Sequence, residues 1–238
     1  MPLASPSYPI ALLLDGRPCL VVGGGPVARR KIDGLLAAGA RVTVVAPHVI
    51  DEIADLDVRV ERRGYRAGEA ASYFLVVTAT GRPGVDRRVF SDADASGVLV
   101  NAADDLPGCS FILPAVVRRG PVSVAVSSDG TSPALATWLR DRVAALVGPE
   151  VAHLAELLGE ARAALRSGGG SCEGRPWREL LDGRLAALVS EGDLGEARAE
   201  VARWTARELA RSGGDTAAAG GAGTPRAAAL TGPGATGD

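Results

Sequence analysis

The chain has 238 residues, 47% hydrophobic and 23% charged, which is enough for one sizeable core and a smaller second domain. Its formal net charge of −2 excludes a general electrostatic attraction to nucleic acid or to an anionic membrane surface. The apolar run Pro9–Leu14 is too short to cross a bilayer and lacks the basic flank of a signal peptide. We therefore expect a cytoplasmic protein that binds neither nucleic acid nor membrane.

The first predicted element is a hairpin. The apolar runs Pro9–Leu14 and Arg17–Val22 flank Asp15-Gly16, a dipeptide typical of a tight two-residue turn. The sequence thus predicts a sheet that begins with an antiparallel edge.

A glycine turn follows the second of these runs and leads into a helix. The helix Val27–Ala38 ends before Gly39, and Arg41–Val45 follows as a second buried strand. Strand, turn, helix and strand in this order form a βαβ unit, which favours nucleotide binding over a glycine turn that serves chain geometry alone.

The turn itself has the spacing G-x-G-x-x-A. Gly23 permits the tight turn, Gly25 lets a pyrophosphate approach the backbone, and Ala28 permits close packing of the helix on the strand. Pro26 and Val27 open the helix, whose positive end would hold the phosphates. These five residues are predicted to bind the cofactor.

The end of the second strand offers neither an Asp nor a Glu for the ribose 2′-hydroxyl, and no Arg follows to bind a 2′-phosphate. This pattern favours NAD over NADP, with Pro47 and His48 beside the ribose. Thr80, at the end of a later strand, is expected to line the same cleft; alternatively, it belongs to a polar turn.

Further strands are predicted at Val58–Glu61, Tyr73–Val77 and Val98–Asn101, with a helix at Val85–Ser96. The alternation indicates an α/β fold, a Rossmann-like doubly wound parallel sheet. No C-x-x-C spacing occurs and the histidines lack partners at ligand spacing, so no fixed metal site is predicted.

The pattern changes after Asp105. Two β-rich runs, Phe111–Val117 and Val122–Ser127, precede a helix at Ala134–Val147 with Pro133 in its first turn and Ser132 as its N-cap. From residue 150 to 212 we expect helices broken at 167–170 and near Gly192. The predicted parts are a nucleotide-binding domain at 1–113, a small α+β region at 114–149, a helical C-terminal domain at 150–212 and a disordered Gly/Ala-rich tail at 213–238.

Two polar segments are further candidates. Asp104, just past a predicted strand, lies where open α/β sheets place ligands; a solvated turn or helix-cap aspartate is the alternative. The hydroxyl-rich entrance to the helix at Pro133 is able to bind a carboxylate or phosphate; simple N-capping is the alternative.

Taken together, these segments resemble the precorrin-2 dehydrogenase and sirohydrochlorin ferrochelatase family, the module found alone or at the amino end of siroheme synthase. The resemblance covers roughly residues 8 to 145. Its most specific parts, which ordinary dinucleotide-binding domains lack, are Ser110-Phe111-Ile112-Leu113-Pro114 and the stretch from Val124 to Ala136.

The resemblance implies NAD as cofactor, oxidation of precorrin-2 to sirohydrochlorin and, in bifunctional members, insertion of Fe²⁺ to give sirohaem. It also implies a homodimer formed through the 114–149 region. Asp104 matches an aspartate tied to both steps, a base with at most transient metal contact, and Ser128 matches a serine that is phosphorylated in some members. The residues implied to face the tetrapyrrole are Asn101, Ser127, Ser128, Gly130, Thr131 and Ser132.

The chain departs from the family pattern at Pro26, where an aspartate is common, and at Thr80-Gly81-Arg82, where an acidic sequence is common. Thr137 replaces a basic residue. Two alternatives stay open: a dehydrogenase that leaves iron insertion to a separate chelatase, and a non-catalytic NAD(H)-binding redox sensor.

Overall fold

A computed structural model describes residues 6–103, 105–169 and 171–219. The strands in this part of the chain are β1 (Pro18–Val22), β2 (Arg41–Val45), β3 (Arg59–Glu61), β4 (Leu75–Thr78), β5 (Leu99–Ala102), β6 (Ala115–Arg119) and β7 (Val122–Val126). The helices are α1 (Pro26–Leu36), α2 (Asp51–Ala54), α3 (Pro83–Ala95), α4 (Pro133–Leu146), α5 (Glu150–Ser167), α6 (Trp177–Leu180), α7 (Ala186–Ser190) and α8 (Leu194–Ala219).

The strands β1 to β5 form a parallel sheet in the order β3-β2-β1-β4-β5. Alternate residues of β1 face opposite sides, as the pleat requires. Cys19 and Val21 pack with Ile32 of α1 and Ile53 of α2, while Leu20 and Val22 pack with Val89 of α3. Helices on both faces bury the sheet, which confirms the predicted doubly wound α/β fold.

The predicted hairpin at the start of the chain is wrong. Asp15 and Gly16 do form a turn, and the Arg17 amide donates to the Leu14 carbonyl at 2.9 Å. However, β1 is hydrogen-bonded to β2 on one side and β4 on the other, so neither edge is open to Pro9–Leu14. That segment has no strand structure, and the sheet has no antiparallel edge within the described residues.

Strands β6 and β7 form a separate two-stranded sheet, and α4 begins as predicted. The Leu135 amide donates to the Ser132 hydroxyl at 3.2 Å, which confirms Ser132 as the N-cap. Contacts divide the chain into two units, one up to Val116 with Ala125–Arg142 and one with Val117–Val124 and Val143 onward. This division runs through the region 114–149 that the sequence sets apart.

The second unit has its own core of helical side chains, in which Trp177 and Trp204 lie with ring centroids 4.6 Å apart. The helix α8 continues to Ala219, past the predicted boundary at residue 212. Residues 220–238 of the predicted tail lie outside the described residues. Among those described, no helix combines the length and apolar character needed to cross a membrane.

Candidate functional site

The glycine turn between β1 and α1 is packed between the ends of two neighbouring strands. Gly23 has a φ of 133°, its amide donates to the Val45 carbonyl at 3.0 Å, and a Cβ there would lie 2.3 Å from the Ala79 carbonyl oxygen. A Cβ on Gly24 would lie 2.1 Å from the His48 carbonyl oxygen. Both positions therefore exclude any side chain, and the sequence motif had given Gly24 no role.

Gly25 differs from its two neighbours because a Cβ there would meet no atom within 4 Å. It precedes α1, whose N-terminus has no side-chain cap and no acidic residue in its first turn, while Pro26 starts the helix. The positive helix end is thus left for an anion, whereas the Gly23 amide is engaged with the Val45 carbonyl. Ala28 is fully buried against the sheet, as expected for close helix packing.

A cleft of about 500 Å³ opens in front of this turn. Of the eight residues predicted to bind the cofactor, seven line it, and Ala28 is the exception. The cleft is lined by Val22, Gly23, Gly24, Gly25, Pro26, Val27, Val45, Ala46, Pro47, His48, Val49, Ile50, Gly64, Tyr65, Ala79, Thr80, Gly81, Arg82 and Val85. The glycine cradle, the uncapped helix end and a cleft of this volume fit the pyrophosphate of a dinucleotide.

Tyr65 is a wall residue of the cleft that the sequence did not single out. Its hydroxyl donates to Asp92 Oδ2 at 3.0 Å and accepts from the Ala70 amide at 3.3 Å. Burial, reinforced by the Asp92 carboxylate, raises the pKa of Tyr65 well above its usual range, so the phenol stays protonated and the ring stays fixed. A lone tyrosine in a loop after a short strand carries no sequence signal for this position.

Thr80 lines the cleft, but its hydroxyl is engaged in holding the start of α3. It donates to Asp86 Oδ1 at 2.8 Å and accepts from the Arg82 amide at 3.0 Å. Thr78 also donates to the Asp86 carboxylate. Thr80 therefore lines the cleft, as predicted, and also belongs to a polar turn, which was the alternative.

Asn101 is buried at the carboxyl end of β5, with 5% of its surface exposed. Its side-chain amide donates to the Phe111 carbonyl at 3.0 Å and lies 3.5 Å from the Cys109 sulfur, and Lys31 Nζ donates to its oxygen at 3.4 Å. Burial raises the pKa of the Cys109 thiol, an effect that the hydrogen bond from the Ala102 amide and, more weakly, the Lys31 charge oppose. The predicted substrate residue is thus turned inward, where it ties α1 and the 109–111 segment to β5.

We expect Asn101→Ala to lower the free energy of unfolding by about 1–3 kcal/mol, because the partly buried Phe111 carbonyl would lose its donor. Urea denaturation of both forms measures the change. An unaltered unfolding free energy combined with a raised KM for substrate would contradict the structural role and restore Asn101 to the substrate site.

Asp104, the predicted catalytic residue, lies outside the described residues. Its chain neighbours are held: the Ala103 amide donates to the Thr78 carbonyl at 2.8 Å. Leu106 begins a short 3-10 helix, Leu106–Gly108. The chain on either side of Asp104 therefore runs along the same sheet edge as the cofactor cleft.

The predicted substrate loop, residues 127–132, is closed by its own hydrogen bonds. Ser128 Oγ accepts from the Ser132 amide at 3.1 Å, and the Thr131 amide donates to the Ser128 carbonyl at 2.8 Å. Ser127 and Ser7 both hydrogen-bond the Asp129 carboxylate. The capping alternative thus accounts for the Ser128 and Ser132 hydroxyls.

Gly130 connects this loop to the sheet edge. A Cβ on Gly130 would lie 2.7 Å from Leu106 Cδ2, so the loop packs against the segment that immediately follows Asp104 and Asp105. The two polar segments that the sequence singled out separately are therefore neighbours. In the residues that the structure describes, no group of three or more His, Cys, Asp and Glu side chains could hold a metal ion.

Comparisons with known proteins agree with this geometry. Residues 10–115 match a family model described as NAD(P)-binding, and residues 119–146 match the model of the central part of sirohaem biosynthesis protein. A solved structure titled "SirC, precorrin-2 dehydrogenase" is 28% identical, with a TM-score of 0.58 over 87% of this chain and 98% of that one.

Curated relatives are larger proteins. The siroheme synthase of Neisseria meningitidis serogroup C strain FAM18 is 41% identical over 202 residues, which are 82% of this chain and 42% of the relative. That of Chromobacterium violaceum is 39% identical over 218 residues, 89% of this chain and 46% of the relative. The chain thus spans less than half the length of these relatives.

Proposed function

Since the chain belongs to the family of siroheme-synthase amino-terminal modules, we propose that it is an NAD-dependent precorrin-2 dehydrogenase of sirohaem biosynthesis. The observation that carries the proposal is the α1 N-terminus, uncapped and free of acidic residues, behind an open Gly25. The identity with the structure titled precorrin-2 dehydrogenase, over nearly the whole of that chain, supports this substrate.

In this proposal Gly23, Gly25, Pro26 and Val27 form the cradle of the cofactor pyrophosphate. The Gly25 and Val27 amides and the helix end bind it, since the Gly23 amide is bonded to Val45 and proline has no N–H. Bound NAD⁺ supplies the hydride acceptor. Precorrin-2 loses one hydride and one proton, and the Asp104 carboxylate takes the proton. The loop 127–132, packed against Leu106, orients the tetrapyrrole beside Asp104.

We further propose that the same site inserts Fe²⁺ into sirohydrochlorin, with Fe²⁺ as a substrate. The name siroheme synthase, carried by the relatives that this chain matches, supports the step. Chelation displaces two protons from pyrrole nitrogens, and a carboxylate that has taken one proton in dehydrogenation can serve as acceptor again after deprotonation. A dehydrogenase without chelatase activity is the alternative.

One assay separates the three functions. Purified protein is mixed with precorrin-2 and NAD⁺ while NADH absorbance and the tetrapyrrole spectrum are followed, and Fe²⁺ is then added. NADH formation with a sirohydrochlorin spectrum supports the dehydrogenase, and a sirohaem spectrum after Fe²⁺ supports the chelatase. If neither product forms, the proposal fails, and NADH binding in a separate titration would then favour a redox sensor.

A homodimer is proposed from the surface of α4. Leu135, Trp138 and Leu139 are 49%, 54% and 38% exposed, and their spacing places them on one face of the helix. This apolar stripe suits a second copy of the chain. The three free cysteines also suit a reducing compartment, and we propose the cytoplasm.

Trp138→Glu is expected to convert the dimer into a monomer, because a charge would be buried in the interface. Sedimentation velocity measures the mass of this variant and of Thr137→Glu, an exposed position of α4 off the stripe. A wild-type monomer, or a dimer that survives Trp138→Glu, would contradict the interface.

A further inference from the structure

The cofactor cleft has a basic side chain but no acidic one among its described lining residues. The described residues that line it include the guanidinium of Arg82 and no Asp or Glu side chain. Dinucleotide sites that accept only NAD use a carboxylate after the second strand, which binds the ribose 2′-hydroxyl and repels a 2′-phosphate. This cleft has nothing of that kind in its described walls.

The nearest carboxylates along the chain are placed away from the cleft or are already engaged. Asp51 and Glu52 begin α2 with exposed side chains and do not line the cleft. On the opposite wall, Asp86 accepts from the hydroxyls of Thr78 and Thr80. Neither group of acids is in a position to exclude a phosphate from the cleft.

The side chain of Arg82 is chemically suited to bind a phosphate. Its backbone is fixed by the Thr80 hydroxyl, its side chain is exposed, and its guanidinium makes no ion pair or hydrogen bond in the part of the chain that the structure describes. A guanidinium pairs with a phosphate through two parallel hydrogen bonds. Because Arg82 follows β4 and not β2, the usual sequence rule for a 2′-phosphate site overlooks it.

We infer that the cleft accepts NADP⁺ alongside NAD⁺, and that Arg82 is the residue that binds the 2′-phosphate. The inference rests on the proposed cofactor site and adds which adenosine ribose, with or without a 2′-phosphate, that site accepts. The 2′-phosphate brings a charge of about −1.5 to −2 near pH 7 to a cleft lined by the Arg82 guanidinium and by no described carboxylate.

The test is binding, measured without substrate. Each cofactor is titrated into wild-type protein and variants by calorimetry, and far-UV circular dichroism verifies the fold. The wild type is expected to bind NADP⁺ within about tenfold of NAD⁺. Arg82→Gln should weaken NADP⁺ by about 10- to 100-fold and leave NAD⁺ within about twofold, because only the phosphate contacts are lost.

Two further variants complete the design. Arg87→Gln, an exposed α3 residue outside the cleft, should leave both affinities unchanged. His48→Asp puts a carboxylate after β2 and should weaken NADP⁺ alone.

NADP⁺ binding more than about tenfold weaker than NAD⁺ in the wild type overturns the inference and leaves the proposed function intact. An Arg82→Gln loss that is smaller than about tenfold, or equal for both cofactors, overturns the role of Arg82. Failure of both cofactors to bind overturns the cradle assignment and this inference together.

Discussion

Replacing Asp104 by Asn is expected to lower the rate of precorrin-2 oxidation by roughly 10²-fold or more, the range usual for loss of a general base. The amide keeps the size and some hydrogen bonding of the carboxylate but cannot take a proton, so NAD⁺ affinity should persist. Stopped-flow measurement of NADH formation gives the rate, and cofactor titration gives the affinity. Iron insertion should fall as well if one carboxylate serves both steps.

Asp105→Asn provides the matched control, since it makes the same change one residue further along the chain. The Asp105 carboxylate turns back toward Gly108, where a Cβ would lie 3.0 Å from it. Its replacement should leave the rate within a few-fold of wild type. Full dehydrogenase activity in Asp104→Asn would contradict the role of Asp104 as the base. A loss of that size in Asp105→Asn alone would assign the role to Asp105. If Asp104→Asn keeps chelation but loses dehydrogenation, the two steps use different groups.

Gly25→Val is the second change with a large expected effect, and it should abolish NAD⁺ binding in a protein that folds normally. The backbone φ of −98° suits a branched residue, and no atom lies within 4 Å of the added Cβ. The side chain would instead occupy the approach of the pyrophosphate to the helix end. Calorimetric titration with NAD⁺ and a thermal melt measure the two properties.

Gly24→Ala is the contrasting variant. Its Cβ would lie 2.1 Å from the His48 carbonyl oxygen, so the glycine turn and the loop after β2 must move apart, at a cost of about 1–3 kcal/mol in unfolding free energy. Adjacent glycines should therefore fail in different ways, one in binding and one in stability. Normal NAD⁺ affinity in Gly25→Val would remove the cradle assignment.

The sequence predicted most of the α/β sheet because its strands are short apolar runs bounded by glycine or polar turns, as at Arg41–Val45. The predicted hairpin strand at Pro9–Leu14 was wrong, since an apolar run beside a turn does not reveal which strands will pair with β1. Those edges are filled by β2 and β4, which arrive later in the chain. Strand order is a property of the assembled sheet and leaves little trace in local composition.

In the candidate site, too, some residues could be predicted from the sequence and others could not. The glycine motif could be predicted because a close approach of the backbone to a phosphate requires residues without side chains. Tyr65 and Arg82 were not predicted as a pair of cleft residues, because they come from loops after β3 and β4 that carry no local motif for such a position. Asn101 was correctly placed at the end of a strand, but its burial follows from the contacts of Phe111 and Lys31.

The Ile50 amide donates to the Gly24 carbonyl at 3.0 Å, so the loop after β2 is fastened to the glycine turn by the chain itself. Most of the entropy of ordering that wall is therefore lost during folding and not during association. A cofactor that docks there meets a preorganised surface and keeps more of its interaction energy as affinity. The facing Arg82 guanidinium, exposed and without such a tether in the described residues, must lose its rotamer freedom when a ligand arrives, at an entropic cost of up to about 2 kcal/mol.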